Sequence, residues 1–220
     1  MDSALFLDCL RHQRLIAVLR APRLEVGLRM AEAVAAGGVR LIEITWNSDQ
    51  PEQLVDRLRQ TLPHCSIGVG TVLSKAELQA AIAAGAEFGF SPYTDLELVD
   101  WAANRRWPFV PGALTPSEIG MAWRAGAPAV KVFPVWAMGG PSYLRHLTAP
   151  LGHIPLVPTG GLAIDQVGAM LQAGATAVGL STGLFPSEAI AQQDWTAITQ
   201  RAQQAVHRCQ TAPDQRPTQG

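Results

Sequence analysis

Lysine and net charge are both scarce in this chain. Its 220 residues contain only two lysines, Lys75 and Lys131, against fifteen arginines, and the formal net charge is −1. Proteins that bind nucleic acid or anionic membranes usually carry clusters of basic residues, and this sequence has no such cluster. We therefore expect neither nucleic acid nor a membrane as a partner.

Long apolar runs are also missing, although 48% of the residues are hydrophobic. No run approaches the roughly 18 residues of a membrane-spanning helix. The N-terminus lacks the basic start of a secretory signal. Cys9, Cys65 and Cys209 are odd in number, widely separated and not spaced as metal ligands, which favours reduced thiols. These features predict a cytoplasmic protein without a metal site.

Short apolar runs alternate regularly with longer amphipathic ones. The apolar runs predict eight strands, over residues 15–20, 39–46, 66–72, 88–92, 109–114, 129–134, 155–160 and 177–182. The amphipathic segments between them predict helices over residues 24–36, 51–62, 75–84, 95–104, 116–125, 142–147 and 164–173. Two further helices are predicted, over residues 3–12 before the first strand and 187–209 after the last.

Glycine marks the ends of four predicted helices at even spacing. An Ala-Gly pair precedes a strand at Gly37, Gly85, Gly126 and Gly174, with intervals of 48, 41 and 48 residues. Each interval corresponds to about two βα units, and glycine supplies the left-handed conformation at a helix C-terminus. Eight βα units at this spacing predict an α/β protein, a (β/α)8 TIM barrel with an extra N-terminal helix.

An open, doubly wound sheet is the alternative fold, and the absence of a dinucleotide-binding fingerprint argues against it. We expect residues 1–210 to form a single (β/α)8 barrel domain. Residues 211–220 are polar and contain proline, which predicts a flexible C-terminal tail.

Lys131 occupies an unusual place for a lysine. It lies inside the apolar run 129–134, where its ammonium group must be desolvated. Desolvation disfavours the charged form, and a neutral amine can attack a ketone to form a Schiff base, which arginine cannot do. The alternative is a structural lysine whose head group reaches solvent at the strand end.

The second predicted strand carries a carboxylate between two isoleucines. With a period of two, Glu43, Thr45 and Asn47 share one face. A buried carboxylate is rare unless it is paired or used, and Schiff-base chemistry needs a general acid/base. Glu43 is therefore the candidate proton-transfer group, and a structural ion pair with Arg20 or Arg40 is the alternative.

Residues suited to anions follow several strands, at the end where barrel enzymes place their sites. Arg20 ends the first strand, where its guanidinium fork suits a carboxylate or a phosphate; pairing with a helix carboxylate is the alternative. Small residues at 159–161 and 179–183 follow the last two strands, the usual position of a phosphate cradle. Residues 68–71 offer a further site for a small carboxylate.

Six short motifs occur together in the chain. They are Glu43-Ile44-Thr45, Gly68-Val69-Gly70-Thr71-Val72-Leu73, Ser91-Pro92, Val110-Pro111-Gly112, Val130-Lys131-Val132-Phe133-Pro134 and Pro158-Thr159-Gly160-Gly161. Their order and spacing, over about residues 10–200, resemble the 2-keto-3-deoxy-6-phosphogluconate (KDPG) aldolase family. The resemblance implies a class I pyruvate aldolase on a (β/α)8 barrel, commonly a homotrimer, that needs neither a metal nor a cofactor.

The resemblance also implies roles for the matching residues. Lys131 condenses with the ketone, and Glu43 relays protons through a water. Thr71, with Gly70, holds the pyruvyl carboxylate. The remaining substrate contacts are expected from Arg20, Asn47, Pro92, Phe133 and Thr159, and phosphate contacts from Gly160, Gly161, Gly179, Ser181 and Thr182.

Two regions depart from the gluconate-specific pattern. Asn47 stands where those aldolases carry arginine, so Arg20, Asn47 and Ser48 are more similar to the related 2-keto-3-deoxy-6-phosphogalactonate aldolases. Thr45 follows the gluconate type, which leaves the preferred stereochemistry open. In the phosphate loop, Ser181 and Thr182 replace the family's usual Gly-Ser, and the additional β-carbon is expected to narrow the cradle.

These observations predict reversible cleavage of a 2-keto-3-deoxy-6-phospho sugar acid to pyruvate and glyceraldehyde 3-phosphate through a Schiff base on Lys131. Two alternatives keep the same enamine chemistry, namely cleavage of 4-hydroxy-2-oxoglutarate and decarboxylation of oxaloacetate. A non-catalytic phosphate-binding barrel, or an isomerase built on the same cradle, would leave Lys131 without a covalent role. The expected partners are a keto acid and an aldehyde phosphate.

Overall fold

The computed structural model describes residues 1–213 and shows short strands alternating with helices along the chain. The strands are β1 Leu15–Leu19, β2 Leu41–Thr45, β3 Ser66–Gly70, β4 Gly89–Phe90, β5 Phe109–Val110, β6 Gly112–Ala113, β7 Val130–Val132, β8 Leu156–Pro158 and β9 Val178–Leu180. The helices are α1 Ser3–Gln13, α2 Leu24–Ala36, α3 Pro51–Thr61, α4 Lys75–Ala83, α5 Leu96–Ala103, α6 Pro116–Arg124, α7 Pro141–Leu151, α8 Val167–Gln172, α9 Ser187–Ala191 and α10 Trp195–Thr211.

All the strand ladders are parallel, so the predicted α/β class with a parallel sheet is confirmed. One sheet has the order β5-β4-β3-β2-β1-β9, and a second has the order β6-β7-β8. An isolated parallel bridge between Thr159 and Gly179 joins the end of β8 to β9. The sheet therefore curls around a common axis, and its regular ladders are interrupted between β5 and β6 and between β8 and β9.

Pro111 divides the predicted fifth strand, residues 109–114, into two segments. Val110 pairs with Phe90 on β4, whereas Gly112 pairs with Lys131 on β7. Proline has no N–H to donate to a ladder, so a regular strand cannot continue through it. The chain thus changes partner at Pro111 and connects the two sheets covalently.

The predicted final helix, residues 187–209, is two helices rather than one. Residues 192–194 separate α9 from α10, and Gln193 has a φ of 54° there. The Asp194 side chain accepts a hydrogen bond from the Ala197 N–H at 2.9 Å and so caps the start of α10. Thr211, predicted to begin the tail, is the last residue of α10, and Ala212 after it is buried. Residues 214–220 of the predicted tail lie outside the described residues.

Helix α1 precedes β1 and packs across the amino ends of the strands. Its buried side chains Phe6 and Leu10 form one apolar cluster with strand residues that include Ile16, Phe88 and Phe90. A larger cluster fills the space between the strands and the outer helices. The amino end of the strands is therefore closed by apolar side chains, which leaves the carboxyl end for polar chemistry.

Candidate active site

A cavity of about 220 Å³ opens at the carboxyl ends of the strands. All but two of the predicted site residues line it, so side chains far apart in sequence meet there. The lining consists of Val18, Arg20, Glu43, Thr45, Thr71, Pro92, Lys131, Phe133, Thr159, Gly160, Gly161, Leu162, Gly179, Ser181 and Thr182. The two exceptions are Gly70 and Asn47.

Lys131 and Glu43 form a buried pair at this cavity. Lys131 Nζ lies 3.7 Å from Glu43 Oε1, and the two residues are only 6% and 1% exposed. Glu43 Oε1 has no hydrogen-bond partner among the described residues. Within residues 1–213, Arg20 forms no salt bridge with Glu43 or any other carboxylate, and Arg40 donates to the carbonyls of Ala35 and Val39.

The environment of Glu43 suits a group that both holds and releases a proton. Burial raises the pKa of the Glu43 carboxyl, and the nearby Lys131 charge opposes this effect without cancelling it. General acid/base catalysis works best when the pKa of the group lies close to the working pH. A buried amine can form a Schiff base with the ketone of a substrate, and a carboxyl at this distance can move protons to and from it.

Gly70 makes room for the Glu43 side chain instead of lining the cavity. Strand β3 runs beside β2, with Thr45 paired to Gly70. A β-carbon on Gly70 would collide with Glu43 Oε1. The contact of Gly70 with the pyruvyl carboxylate stays a prediction, whereas its missing side chain leaves the space that the Glu43 carboxylate occupies.

Two aromatic rings flank the amine of Lys131. Its Nζ lies 5.2 Å from the ring centroid of Phe133 and 5.7 Å from that of Phe90. Phe133 is predicted to lie beside the lysine, whereas Phe90 is not among the predicted site residues. A signal was available, because Phe88 and Phe90 are two residues apart and therefore point to the same side of a strand.

Small residues also line the cavity, after β8 and in β9. Gly160 and Gly161 have φ values of 96° and 76°, which glycine adopts without steric strain. A β-carbon on Gly179 would collide with the hydroxyl of Thr159, so these two residues are packed closely. Thr71 has a φ of 57°, a left-handed conformation that is uncommon for a residue with a branched β-carbon.

Asn47 lies in an adjoining pocket of about 560 Å³, and the exposed Arg20 borders both spaces. The loop that carries Asn47 is held to the loop after β1. Ser48 Oγ accepts a hydrogen bond from the Ala21 N–H at 3.0 Å and lies 3.2 Å from Thr45 Oγ1. Asn47 therefore lines the adjoining pocket, which shares Arg20 with the cavity, and does not line the cavity itself.

Within residues 1–213, no three or more His, Cys, Asp or Glu side chains are grouped closely enough to hold a metal ion. No helix in the same part of the chain is both long and apolar enough to cross a membrane.

Two solved structures are similar in fold to this chain. A structure described as native KDPGal is 30% identical, has a TM-score of 0.82, and aligns with 90% of this chain and 95% of its own. KDPG aldolase from Legionella pneumophila, solved with pyruvate captured at low pH as a covalent carbinolamine intermediate, is 30% identical. Its TM-score is 0.81, and the alignment covers 88% of this chain and 94% of that chain.

Comparisons of sequence also match this chain to aldolases. The 2-dehydro-3-deoxy-phosphogluconate aldolase of Pseudomonas aeruginosa is 32% identical over 198 residues, which are 90% of each chain. The family model for KDPG and KHG aldolase, where KHG is 4-hydroxy-2-oxoglutarate, matches residues 7–201. Since this match spans most of the sequence, the chain belongs to the KDPG and KHG aldolase family and is an enzyme, a lyase of the aldolase type.

Proposed function

We propose that the protein is a class I aldolase that cleaves a 2-keto-3-deoxy-6-phospho sugar acid, reversibly, to pyruvate and glyceraldehyde 3-phosphate. The observation that carries this proposal is the buried pair of Lys131 and Glu43, with 3.7 Å between Nζ and Oε1, at a cavity ringed by small residues. The Legionella pneumophila relative, in which pyruvate is held as a covalent carbinolamine, supports the same chemistry here.

The reaction begins with attack of the neutral Lys131 amine on the C2 carbonyl of the keto acid. The nitrogen lone pair forms the C–N bond as the C=O π bond breaks, and a proton passes from the nitrogen, through Glu43 and a water, to the oxygen, which becomes the hydroxyl of a neutral carbinolamine. Glu43 gives a proton, through a water, to this hydroxyl, which leaves as water while the nitrogen lone pair forms the iminium. The product is a cation on Nζ, stabilised by the Glu43 carboxylate.

The iminium then acts as an electron sink for cleavage. Glu43 removes the proton of the C4 hydroxyl, the C3–C4 bonding pair moves toward the iminium, and the aldehyde leaves. The enamine that remains is protonated at C3 by the same carboxyl group. Hydrolysis of the resulting iminium releases pyruvate and restores Lys131.

The phosphate is proposed to bind at the glycine-rich part of the cavity. Gly160 and Gly161 let backbone N–H groups approach an anion closely, and Ser181 and Thr182, which carry hydroxyl groups, line the same cavity. Arg20 at the rim, with Thr71 and Pro92, is proposed to hold the carboxylate and hydroxyl groups of the substrate. Phe133 packs beside the imine, and Thr159 contacts the keto acid.

A second candidate substrate is 4-hydroxy-2-oxoglutarate, which shares the pyruvyl group and lacks phosphate. The observation that favours it is the loop after β9, where Ser181 adds a β-carbon and Thr182 a methyl group to the proposed cradle. The family description names aldolases of both kinds. Loss of phosphate dependence would assign the protein to this second activity.

Borohydride trapping tests the covalent mechanism, because borohydride reduces an iminium to a stable amine. We expect one pyruvyl adduct per chain, located on the Lys131 peptide and absent from Lys131→Ala. Lys75 is the only other lysine in the sequence and is exposed, so Lys75→Ala is a matched control that should retain the adduct. An adduct on Lys75, or none at all, would overturn the assignment of Lys131.

A substrate panel tests the specificity. kcat/KM is measured for the 6-phosphogluconate-derived substrate, its galactonate epimer and 4-hydroxy-2-oxoglutarate. We expect a phosphorylated substrate to have the highest kcat/KM. The ratio of kcat/KM between the two epimers reports which configuration of the C4 hydroxyl Arg20 and Asn47 favour. A highest value for 4-hydroxy-2-oxoglutarate would instead establish the second candidate.

The remaining proposals concern architecture and setting. We propose that the strands close into a complete (β/α)8 barrel with α1 as an extra N-terminal helix; the bridge of Thr159 to Gly179 and the continuity of β5 with β6 through Pro111 support closure. Residues 1–210 are proposed to be one domain. A cytoplasmic homotrimer is proposed from the family resemblance, and exposed apolar side chains such as Trp136 and Met138 are consistent with a subunit interface.

A further inference from the structure

Phe90 lies beneath the reactive amine without touching the substrate cavity. Lys131 Nζ is over its ring, 5.7 Å from the centroid, which is within the distance at which a cation is attracted to an aromatic face. Phe90 is fully buried and does not line the cavity. Its ring therefore contacts the lysine from the side opposite to the substrate.

Two other aromatic residues hold this ring in place. Phe88 meets Phe90 edge to face, with ring centroids 5.9 Å apart and an angle of 85°. Phe6, from α1, lies 5.0 Å from Phe88 and 6.4 Å from Phe90. Edge-to-face pairs of this kind have preferred geometries, so the three rings fix the orientation of the Phe90 face.

The charge on Nζ changes during the proposed reaction. The carbinolamine nitrogen is neutral, whereas the iminium nitrogen carries a positive charge after water leaves. A group that attracts a cation at Nζ therefore favours the iminium over the carbinolamine. Phe133 also lies near Nζ, but it lines the cavity and contacts the substrate side.

We propose that Phe90 is a positioning residue whose ring face stabilises the iminium on Lys131, and that α1, through Phe6, helps to hold that ring. This inference rests on the proposed function, because it requires a Schiff base at Lys131. The apolar cluster of Phe6, Phe88 and Phe90 would then stabilise a positive charge in the active site.

Site-specific fluorination of Phe90 tests the proposal with little change of shape. Phenylalanine with one, two or three ring fluorines is incorporated at position 90, which progressively weakens the negative face of the ring. Each variant is saturated with pyruvate labelled with 13C at C2, and NMR compares the trigonal iminium carbon with the tetrahedral carbinolamine carbon. We expect the iminium-to-carbinolamine ratio to fall about threefold to tenfold over the series, with its logarithm linear in the number of fluorines.

Phe109 provides the matched control. It is equally buried and lies on the strand next to β4, and no cation lies over its ring among the described residues. Trifluorination at Phe109 should leave the ratio unchanged. A constant iminium-to-carbinolamine ratio across the Phe90 series would overturn the proposal. So would a series in which every variant shows the iminium signal and none shows the carbinolamine.

The experiment separates this inference from the proposed function. If wild-type enzyme gives neither signal and no borohydride adduct, the Schiff-base assignment itself fails. If the adduct forms on Lys131 but fluorination at position 90 has no effect, only the role of Phe90 fails. Phe90→Leu, which keeps an apolar side chain without a ring, should lower the ratio at least as much as the trifluorinated variant.

Discussion

Gly70→Ala perturbs the proposed catalytic pair without changing either of its members. The new β-carbon would lie 2.8 Å from Glu43 Cγ and 2.5 Å from Cδ, and it would collide with Oε1. The backbone cannot easily yield, because β2 and β3 are joined by a continuous ladder from Leu41 to Thr45. The carboxylate must therefore rotate away, by about 1 Å or more, from its place beside Lys131.

The size of the effect follows from this displacement. Misplacing a catalytic group by about 1 Å lowers the rate about 100-fold. Such a loss is equivalent to about 2.7 kcal/mol of activation free energy. We expect kcat to fall by about this factor, whereas borohydride should still trap the imine because the Lys131 amine is unchanged. Crowding of a packed site also lowers the free energy of unfolding, typically by about 1–3 kcal/mol.

The assay compares kcat and the extent of imine trapping in wild type, Gly70→Ala and Gly168→Ala. Gly168 lies in α8, and a β-carbon there would have no neighbour within 4 Å, so its substitution should leave kcat unchanged. Glu43→Gln supplies the second background. If the effect passes through Glu43, Gly70→Ala should lower kcat much less in that background than in wild type.

Two results would refute this reasoning. Wild-type turnover in Gly70→Ala would mean that the carboxylate position does not matter or that the strands adjust at little cost. An equal loss in the wild-type and Glu43→Gln backgrounds would mean that Gly70 acts independently of Glu43.

Three further predictions concern other parts of the chain. Arg14 donates hydrogen bonds of 2.9 Å to the carbonyls of Cys209 and Ala212, so Arg14→Ala should lower the free energy of unfolding by about 2 kcal/mol in urea titrations; an unchanged midpoint would contradict this. Burial raises the pKa of the Cys209 thiol to about 12, so iodoacetamide at pH 8 should label it only after unfolding. Because the unfolded thiol ionises near pH 8.5, its contribution to stability should decline above that pH, and Cys209→Ala should remove this component. Thr182→Val should weaken binding of a phosphorylated substrate about tenfold and leave pyruvate binding unaffected, as measured by KM and imine trapping; equal effects on both would place the hydroxyl elsewhere.

The periodic apolar pattern predicted where strands and helices lie, because burial on one or both faces fixes which residues are apolar. It did not predict interruptions that depend on pairing partners. The apolar run over residues 109–114 predicts one strand. In the structure the chain pairs with β4 before Pro111 and with β7 after it. Residues 187–209 read as one helix, although Asp194 in its middle is a residue type that favours helix N-caps.

Sequence patterns pointed to residues whose chemistry is unusual at their position. A lysine and a glutamate inside apolar strands are costly unless they are used or paired, and the structure places Lys131 and Glu43 together. Phe90 and Gly70 are not chemically unusual in this way, because phenylalanine and glycine are ordinary in a strand. Their importance depends on which side chains face them from neighbouring strands, and that is a property of the fold.

The buried pair links the stability of the fold to its chemistry. Because burial raises the pKa of the Glu43 carboxyl, the folded chain binds this proton more tightly than the unfolded chain does. The resulting stabilisation is fully present below the unfolded pKa of about 4.3 and is lost as the pH rises through the folded pKa. Burial therefore disfavours a fixed negative charge on Glu43, and the nearby Lys131 charge opposes this effect. The same imbalance makes the carboxyl ready to accept and return a proton, which is what each step of the proposed reaction requires of it.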